Sequence, residues 1–376
     1  MKIQLNRLQK IRFTLLVGLI FFLTPWIFAQ SDTLSEKRSH TSPLQISTYL
    51  ETYYIYDFAN PADHTRPDFL YSFNRHNEIN LNLGLLKMEY TTNRVRGNLG
   101  LMAGTYANAN LATEPGVLKN VFEAFVGVKV SQKKNLWVDA GIFTSHIGFE
   151  SALGATTWNM TRGLLAENSP YYLSGAKISY TSDNQEWFIS GLVMNGWQRI
   201  QRVPDNQLPA FGHQLTWTPT DKILLNSSSF IGNDYPESER RMRYFHNFYG
   251  QFMVNNRLEI ITGFDIGMEQ KFKESRRYNV WYSPIAIARF SATNKVALSG
   301  RIEYYSDKNE VIVSTGTSNG FQTVGYSMNL DYKITDDVLW RLEGRRLNSK
   351  DSLFTYNDKP SKNNFILGTS LSIFLK

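Results

Sequence analysis

Leu44-Gln45-Ile46-Ser47-Thr48-Tyr49-Leu50-Glu51-Thr52-Tyr53-Tyr54-Ile55-Tyr56-Asp57-Phe58 reads with a period of two. Leu44, Ile46, Thr48, Leu50, Thr52, Tyr54, Tyr56 and Phe58 share one face, while Gln45, Ser47, Tyr49, Glu51, Tyr53 and Asp57 share the other. Side chains of a strand alternate between faces, so this is a strand with one side suited to lipid and one to water. Soluble strands average about five or six residues, whereas a tilted membrane-spanning strand needs about nine to eleven. The length of this stretch matches the second case.

The same alternation recurs to the end of the chain. Ile79, Leu81, Leu83 and Leu85 oppose Glu78, Asn80 and Asn82, and Val324, Tyr326, Met328, Leu330 and Tyr332 oppose Thr323, Ser327, Asn329 and Asp331. Sixteen strands are expected, at 44–58, 77–90, 94–106, 118–130, 135–147, 171–182, 186–196, 209–218, 222–233, 240–254, 257–269, 276–291, 295–306, 319–334, 337–348 and 363–375. Segments 185–196, 222–232 and 277–291 carry apolar residues on both faces, which suggests inward faces packed on an internal loop. Short turns such as Thr91–Asn93, Asn255–Asn256 and Thr335–Asp336 alternate with longer connections at 59–76, 107–117, 148–170, 197–208, 234–239, 270–275, 307–318 and 349–362. An even number of strands joined by alternating short and long connections is the plan of a bacterial outer-membrane barrel, with short turns in the periplasm and long loops outside. The expected fold is therefore all-β, a transmembrane antiparallel β-barrel of about 16 strands. Tyr54, Tyr56, Phe58, Trp217, Tyr304, Tyr305, Tyr332 and Trp340 lie near strand ends, where amphipathic rings form girdles at the headgroup level.

The N-terminus reads as an address. Residues 1–12 are basic, Phe13–Phe28 is apolar with Pro25 near its end, and Ala29 precedes a polar Gln30-Ser31-Asp32. Basic, apolar and small segments in that order make a secretory signal peptide at 1–29, followed by a flexible leader at 30–43 and the barrel at 44–376. Four of the seven net positive charges, Lys2, Arg7, Lys10 and Arg12, belong to that signal, which leaves +3 for the exported chain. Nucleic acid is excluded as a partner on that ground. No cysteine is present among the 376 residues, so disulfides, thiolate metal sites and cysteine nucleophiles are excluded.

Five short stretches add a resemblance. His146-Ile147-Gly148-Phe149-Glu150, Asn159-Met160-Thr161-Arg162, Asn168-Ser169-Pro170-Tyr171-Tyr172 and Gly175-Ala176-Lys177, with the opening Glu51-Thr52-Tyr53-Tyr54, resemble the putative beta-barrel porin-2 (OmpL-like) family of Gram-negative outer membranes. The likeness covers the whole mature barrel and implies a passive outer-membrane channel. The chain ends Phe374-Leu375-Lys376, a small departure from the terminal aromatic residue that many such barrels present to the insertion machinery. The expected partners are outer-membrane lipid, small hydrophilic solutes and, during biogenesis, that machinery, with a homo-oligomer left open. A non-conducting barrel that serves as a surface binding or assembly component is the alternative.

Candidate functional residues follow from the faces. Glu51, Arg96, Glu123, Lys129, Asp139, Asp265, Arg301, Glu303, Arg341, Glu343 and Arg345 fall on lumen faces. A Lys or Arg facing lipid at the midplane costs about 2–4 kcal/mol, so the lumen is their inexpensive location. The longest connection, 148–170, is the third external one, and if it folds inward Glu150, Arg162 and Glu167 become constriction residues. No zinc-ligand spacing or phosphate-binding glycine loop occurs, and neither a metal nor another cofactor is expected. Ser145 and His146 adjoin Asp139 in sequence, but a triad is defined by geometry, and no enzyme is expected.

Overall fold

The computed structural model describes residues 42–356 and 359–375. The expected signal peptide lies outside the described residues, as does most of the leader. In chain order the strands are β1 (Leu44–Asp57), β2 (Ile79–Thr91), β3 (Val95–Ala103), β4 (Val121–Lys129), β5 (Asn135–Thr144), β6 (Tyr172–Thr181), β7 (Trp187–Met194), β8 (Ala210–Thr220) and β9 (Ile223–Gly232). They continue as β10 (Arg243–Met253), β11 (Leu258–Gln270), β12 (Tyr278–Ser291), β13 (Val296–Asp307), β14 (Phe321–Lys333), β15 (Val338–Ser349), β16 (Phe354–Tyr356), β17 (Lys359–Ser361) and β18 (Asn363–Leu375). Sixteen of them form one closed barrel in which each strand is antiparallel to its neighbours; β16 and β17 form a separate hairpin within the last long loop. The barrel closes where β1 pairs with β18, for instance Glu51 opposite Ser372 and Tyr53 opposite Ser370. Closure removes the unpaired edges that an open sheet would expose to lipid.

The short turns share one chemistry. The side chains of Thr92, Asn255 and Thr293 each accept a hydrogen bond at 3.0 Å from the backbone N–H three residues on, at Val95, Leu258 and Val296. Such Asx and ST turns reverse the chain within a few residues and lock the register of each hairpin. Outward positions carry the exposed apolar side chains, among them Ile46, Leu50, Val126, Ile178, Val193, Ile302 and Leu371. At the short-turn end Trp187 stacks on Trp217 at 5.4 Å. At the long-loop end Tyr56 meets Phe58 at 5.0 Å and Tyr282 meets Tyr304 at 6.0 Å.

Three sequence expectations are corrected. The strand placed at 94–106 stops at Ala103, because Gly104 takes φ 130° and the chain enters a short helix, α1 (Thr105–Asn110). The connection at 349–362 is not featureless, since it holds the β16–β17 hairpin. Tyr305 is not a girdle residue: it faces inward, is 2% exposed and packs edge-on against Phe321 at 5.5 Å.

The core of this barrel sits inside the lumen. Three long loops fold inward: residues 58–78 after β1, residues 104–120 with α1, and residues 145–171, which contain a second short helix, α2 (Leu164–Glu167). This packing explains the three segments apolar on both faces. Leu192 and Met194 of β7, Leu224 and Phe230 of β9, and Trp281, Ile285 and Ile287 of β12 point inward and are buried in clusters shared with the loops.

Candidate functional site

Residues 145–171 leave β5 and return at β6, and between those points their backbone reaches the β13–β15 wall. Arg341 of β15 donates from Nη1 to the carbonyl oxygens of Gly154 (2.7 Å) and Asn159 (3.0 Å), and from Nη2 to that of Thr157. Glu343 accepts from the Thr161 N–H at 2.6 Å and the Thr161 hydroxyl at 2.8 Å. Arg301 of β13 donates to the Thr161 carbonyl at 2.6 Å, and Glu303 accepts from the Leu164 N–H at 2.5 Å. On β14, Asn329 accepts from the Met160 N–H at 3.0 Å. The loop has little regular structure, so its backbone groups need partners, and the wall supplies them one by one.

The wall residues that hold the loop are also paired with each other. Arg345 meets Glu303 at 2.6 Å, Arg301 meets Glu303 at 3.3 Å and Glu343 at 3.2 Å, and Arg341 meets Asp331 at 2.9 Å. These side chains are at most 3% exposed. Charges buried to that degree are tolerable only when paired and hydrogen-bonded. Two strands from β15 along the same wall, Glu51 of β1 accepts from Asn82 at 2.8 Å. It lies so near the loop that a side chain at Gly154 would press on the Glu51 carboxylate and displace it.

The three loop residues expected at a constriction turn their charges into packing. Arg162, fully buried, donates to the carbonyls of Ser151 (2.6 Å), Met160 (2.6 Å) and Ala152 (2.8 Å), all within its own loop. Glu150 accepts from the Gly163 N–H at 2.7 Å and lies 3.8 Å from Arg301; burial nonetheless outweighs that cation and raises its pKa. Glu167 joins two loops, accepting from the N–H groups of Tyr71 (2.9 Å) and Ser72 (3.3 Å). Burial pushes its pKa up to about 7, against the pull of Arg162 and Arg345. Ser145 and His146 do not meet: the serine hydroxyl accepts from the Ile147 N–H, while His146 Nε2 contacts the Ser229 carbonyl at 2.8 Å.

The structure thus divides the expected lumen charges into two sets. Arg301, Glu303, Arg341, Glu343, Arg345 and Glu51 gather beneath the loop, and Asp265 is buried nearby with Asn247 donating to it at 2.5 Å. Arg96, Glu123, Lys129 and Asp139 stand on the opposite wall, away from the loop anchors. There Arg96 forks onto Asp139 at 2.7 and 2.6 Å, and Lys87 meets Glu123 at 3.0 Å. Sequence reading omitted Asp331, Asn329, Lys87 and Lys177 from the site, although their period-two position placed them on the same faces. It also missed Tyr49, whose hydroxyl accepts from the Ala155 N–H at 3.0 Å.

A closed barrel of sixteen antiparallel strands, with an apolar exterior, girdled ends and a loop folded across a charged lumen, defines a porin-type outer-membrane protein. The chain belongs to the putative beta-barrel porin-2, OmpL-like family, whose sequence profile matches residues 43–375. Solved structures agree on the fold. Outer-membrane-expressed OmpT of Vibrio cholerae is 10% identical with a TM-score of 0.58, over 88% of this chain and 97% of that one. An anion-selective porin from Comamonas acidovorans is 7% identical with a TM-score of 0.58, over 88% and 99%. In-vitro folded OmpT of Vibrio cholerae in a trimer form is 11% identical with a TM-score of 0.53, over 88% and 99%. At these identities the likeness is one of fold. No curated protein matches the chain.

Proposed function

We propose that this protein is a passive outer-membrane channel for small hydrophilic solutes or ions, with the loop at 145–171 as its constriction. The observation that supports this reading is the loop's path across a sixteen-stranded lumen, anchored by Arg301, Glu303, Arg341 and Glu343. Barrels of this strand number otherwise enclose an aqueous channel, so an inward loop sets the narrowest section. The reaction is diffusion alone, and no catalytic role is assigned to any residue. Outer-membrane lipid surrounds the wall in this reading, the barrel-insertion machinery delivers the chain, and assembly as a homo-oligomer is compatible with the exposed exterior.

A second reading, a non-conducting barrel with a surface or assembly role, draws on the two apolar clusters inside the lumen. One runs from Tyr49 and Leu83 through the loops to Leu224 and Ile285, and the other from Leu70 and Phe143 to Trp281 and Tyr305. Planar-bilayer recording of the refolded barrel separates the two. The channel reading expects small discrete conductance steps that grow several-fold when residues 151–162 are replaced by a short glycine-serine link. A barrel with native heat-modifiable migration and no conductance, before and after that replacement, supports the second reading.

A further inference from the structure

We propose that the lumen wall from β2 to β6 is a basic ladder that gives the channel a preference for small anions, an inference that rests on the channel reading above. The ladder consists of Lys87 on β2, Arg96 on β3, Lys129 on β4 and Lys177 on β6, all on inward positions and all partly exposed. Its acids are set back. Asp139 is 1% and Glu123 4% exposed, whereas the Arg96 and Lys87 side chains keep 20% and 24% of their surface open. Glu89, paired with Lys87 at 2.8 Å, is the acid of this wall that remains open.

The register builds this arrangement. Arg96, Gly127, Asp139 and Lys177 lie opposite one another on four consecutive strands. Gly127 is the essential member: a Cβ there would sit 2.1 Å from an Asp139 oxygen, so its absence lets the Arg96 fork bridge from β3 to β5. Arg96 also lies over the Trp137 ring at 4.5 Å, and Lys177 over Phe143 at 5.2 Å. Rings thus hold both cations in place, and the Asp139 carboxylate holds Arg96 as well. Asp139 stands between Arg96 and Lys177 and offsets one charge of the two. Lys129, in the neighbouring register opposite Trp137, adds another.

The opposite wall contributes little field. Its arginines are buried and matched, with Arg345 and Arg301 on Glu303 and Arg341 on Asp331. The ladder lies on the short-turn half of its wall, below the packing of Leu83, Leu85, Met102 and Phe122 on the inward loops, so ions that cross that half of the lumen pass its cations. A surface on which cations outnumber acids, in a low-dielectric confinement, concentrates anions, and the effect weakens as salt shortens the Debye length.

Reversal potentials in a potassium chloride gradient test the inference on the full mature barrel. The wild type should favour chloride over potassium by about twofold or more at low salt, with the ratio falling toward one at 1 M. The double variant K129Q/K177Q, which leaves the Arg96–Asp139 fork intact, should lose most of that preference, and D139N should raise it. Unchanged heat-modifiable migration shows that each variant is folded. A conducting wild type with no preference, or with a preference for potassium, overturns the anion assignment while leaving the channel standing. So does a chloride preference that survives K129Q/K177Q. If neither the wild type nor the barrel trimmed at 151–162 conducts, the channel reading falls and takes this inference with it.

Discussion

Arg345 on β15 and Arg96 on β3 both point into the lumen, and each meets a carboxylate at 2.6 Å. The Arg345 side chain is 1% exposed, whereas that of Arg96 is 20% exposed. The difference lies in what faces them. Opposite β13–β15 the 145–171 loop offers carbonyls and N–H groups, so the charges there act as structural ligands. On β2–β6 the inward loops cover Leu83, Leu85, Met102 and Phe122 but leave the cations toward the short-turn end partly exposed. Alternating inward charges, similar in sequence, therefore serve two purposes. One set fixes a loop and the other gives the lumen its field.

The sharpest way to break this contrast is to remove an anchor. Arg341→Ala leaves Asp331 with Arg289 at 2.8 Å and the Asn329 amide at 2.6 Å, and strips donors from the carbonyls of Gly154, Thr157 and Asn159. Losing one partner of a buried pair typically costs about 3–5 kcal/mol. Urea titration of the folded barrel in detergent should show a loss of that size. Neutralising Lys129 on the open wall should leave the midpoint within about 0.5 kcal/mol.

A smaller effect is expected from pH. Glu167 ties the 145–171 loop to the 58–78 loop, and its pKa is raised to about 7 from an ordinary 4.5. A carboxyl raised on folding holds its proton more tightly in the packed state. Its contribution to that packing is therefore complete below the ordinary carboxyl range and is lost as pH rises through about 7. Ionising it leaves a charge among Tyr71, Tyr106 and Tyr171, with Arg66, Arg162, Arg301 and Arg345 as the surrounding cations. Proteolytic cleavage of the two loops should accelerate between pH 6 and pH 8, and Glu167→Gln should flatten that dependence. Equal acceleration in the variant would assign the effect to another group.

The smallest expected effect lies on the exterior. Trp217→Ala breaks the stacked pair with Trp187, and aromatic pairs contribute about 0.5–1.5 kcal/mol beyond their area burial. The variant should fold with a slightly lower urea midpoint and unchanged loop cleavage, since the pair touches neither wall of the lumen.

The barrel itself was legible because a membrane strand repeats one constraint, period two, over its whole length. Each of the sixteen expected strands corresponds to a barrel strand, with ends displaced by a few residues. The inward side of every candidate charge followed from the same alternation, but the face of β2 did not. A register shift between Glu51 and Thr52 turns Leu83 and Leu85 into the internal cluster, away from the exposed Ile79 with which the alternation grouped them. Water contact was not legible, because it depends on contacts that span much of the chain, such as Thr161 with Glu343 and Gly148 with Asn247. The three segments with apolar residues on both faces were the one sequence signal of those contacts. Tyr304 and Tyr305 show the limit at the scale of a single step: the two are adjacent and alike, yet one faces the girdle and the other the packed interior.

The most direct test compares the two walls in one molecule type, using single cysteines in a chain that has none. Ser327 lies beneath the loop, 5% exposed, and its hydroxyl accepts from Asn159 Nδ2 at 3.1 Å. Lys129 stands half-buried on the open wall. A small charged thiol reagent applied to the folded barrel should modify Lys129→Cys at least about tenfold faster than Ser327→Cys, because reaction at a covered site requires local opening. Replacing residues 151–162 with the short link should raise the Ser327→Cys rate to that of Lys129→Cys. Equal rates in the intact barrel, or no change on shortening the loop, would contradict a lumen divided between a loop-covered wall and an open one.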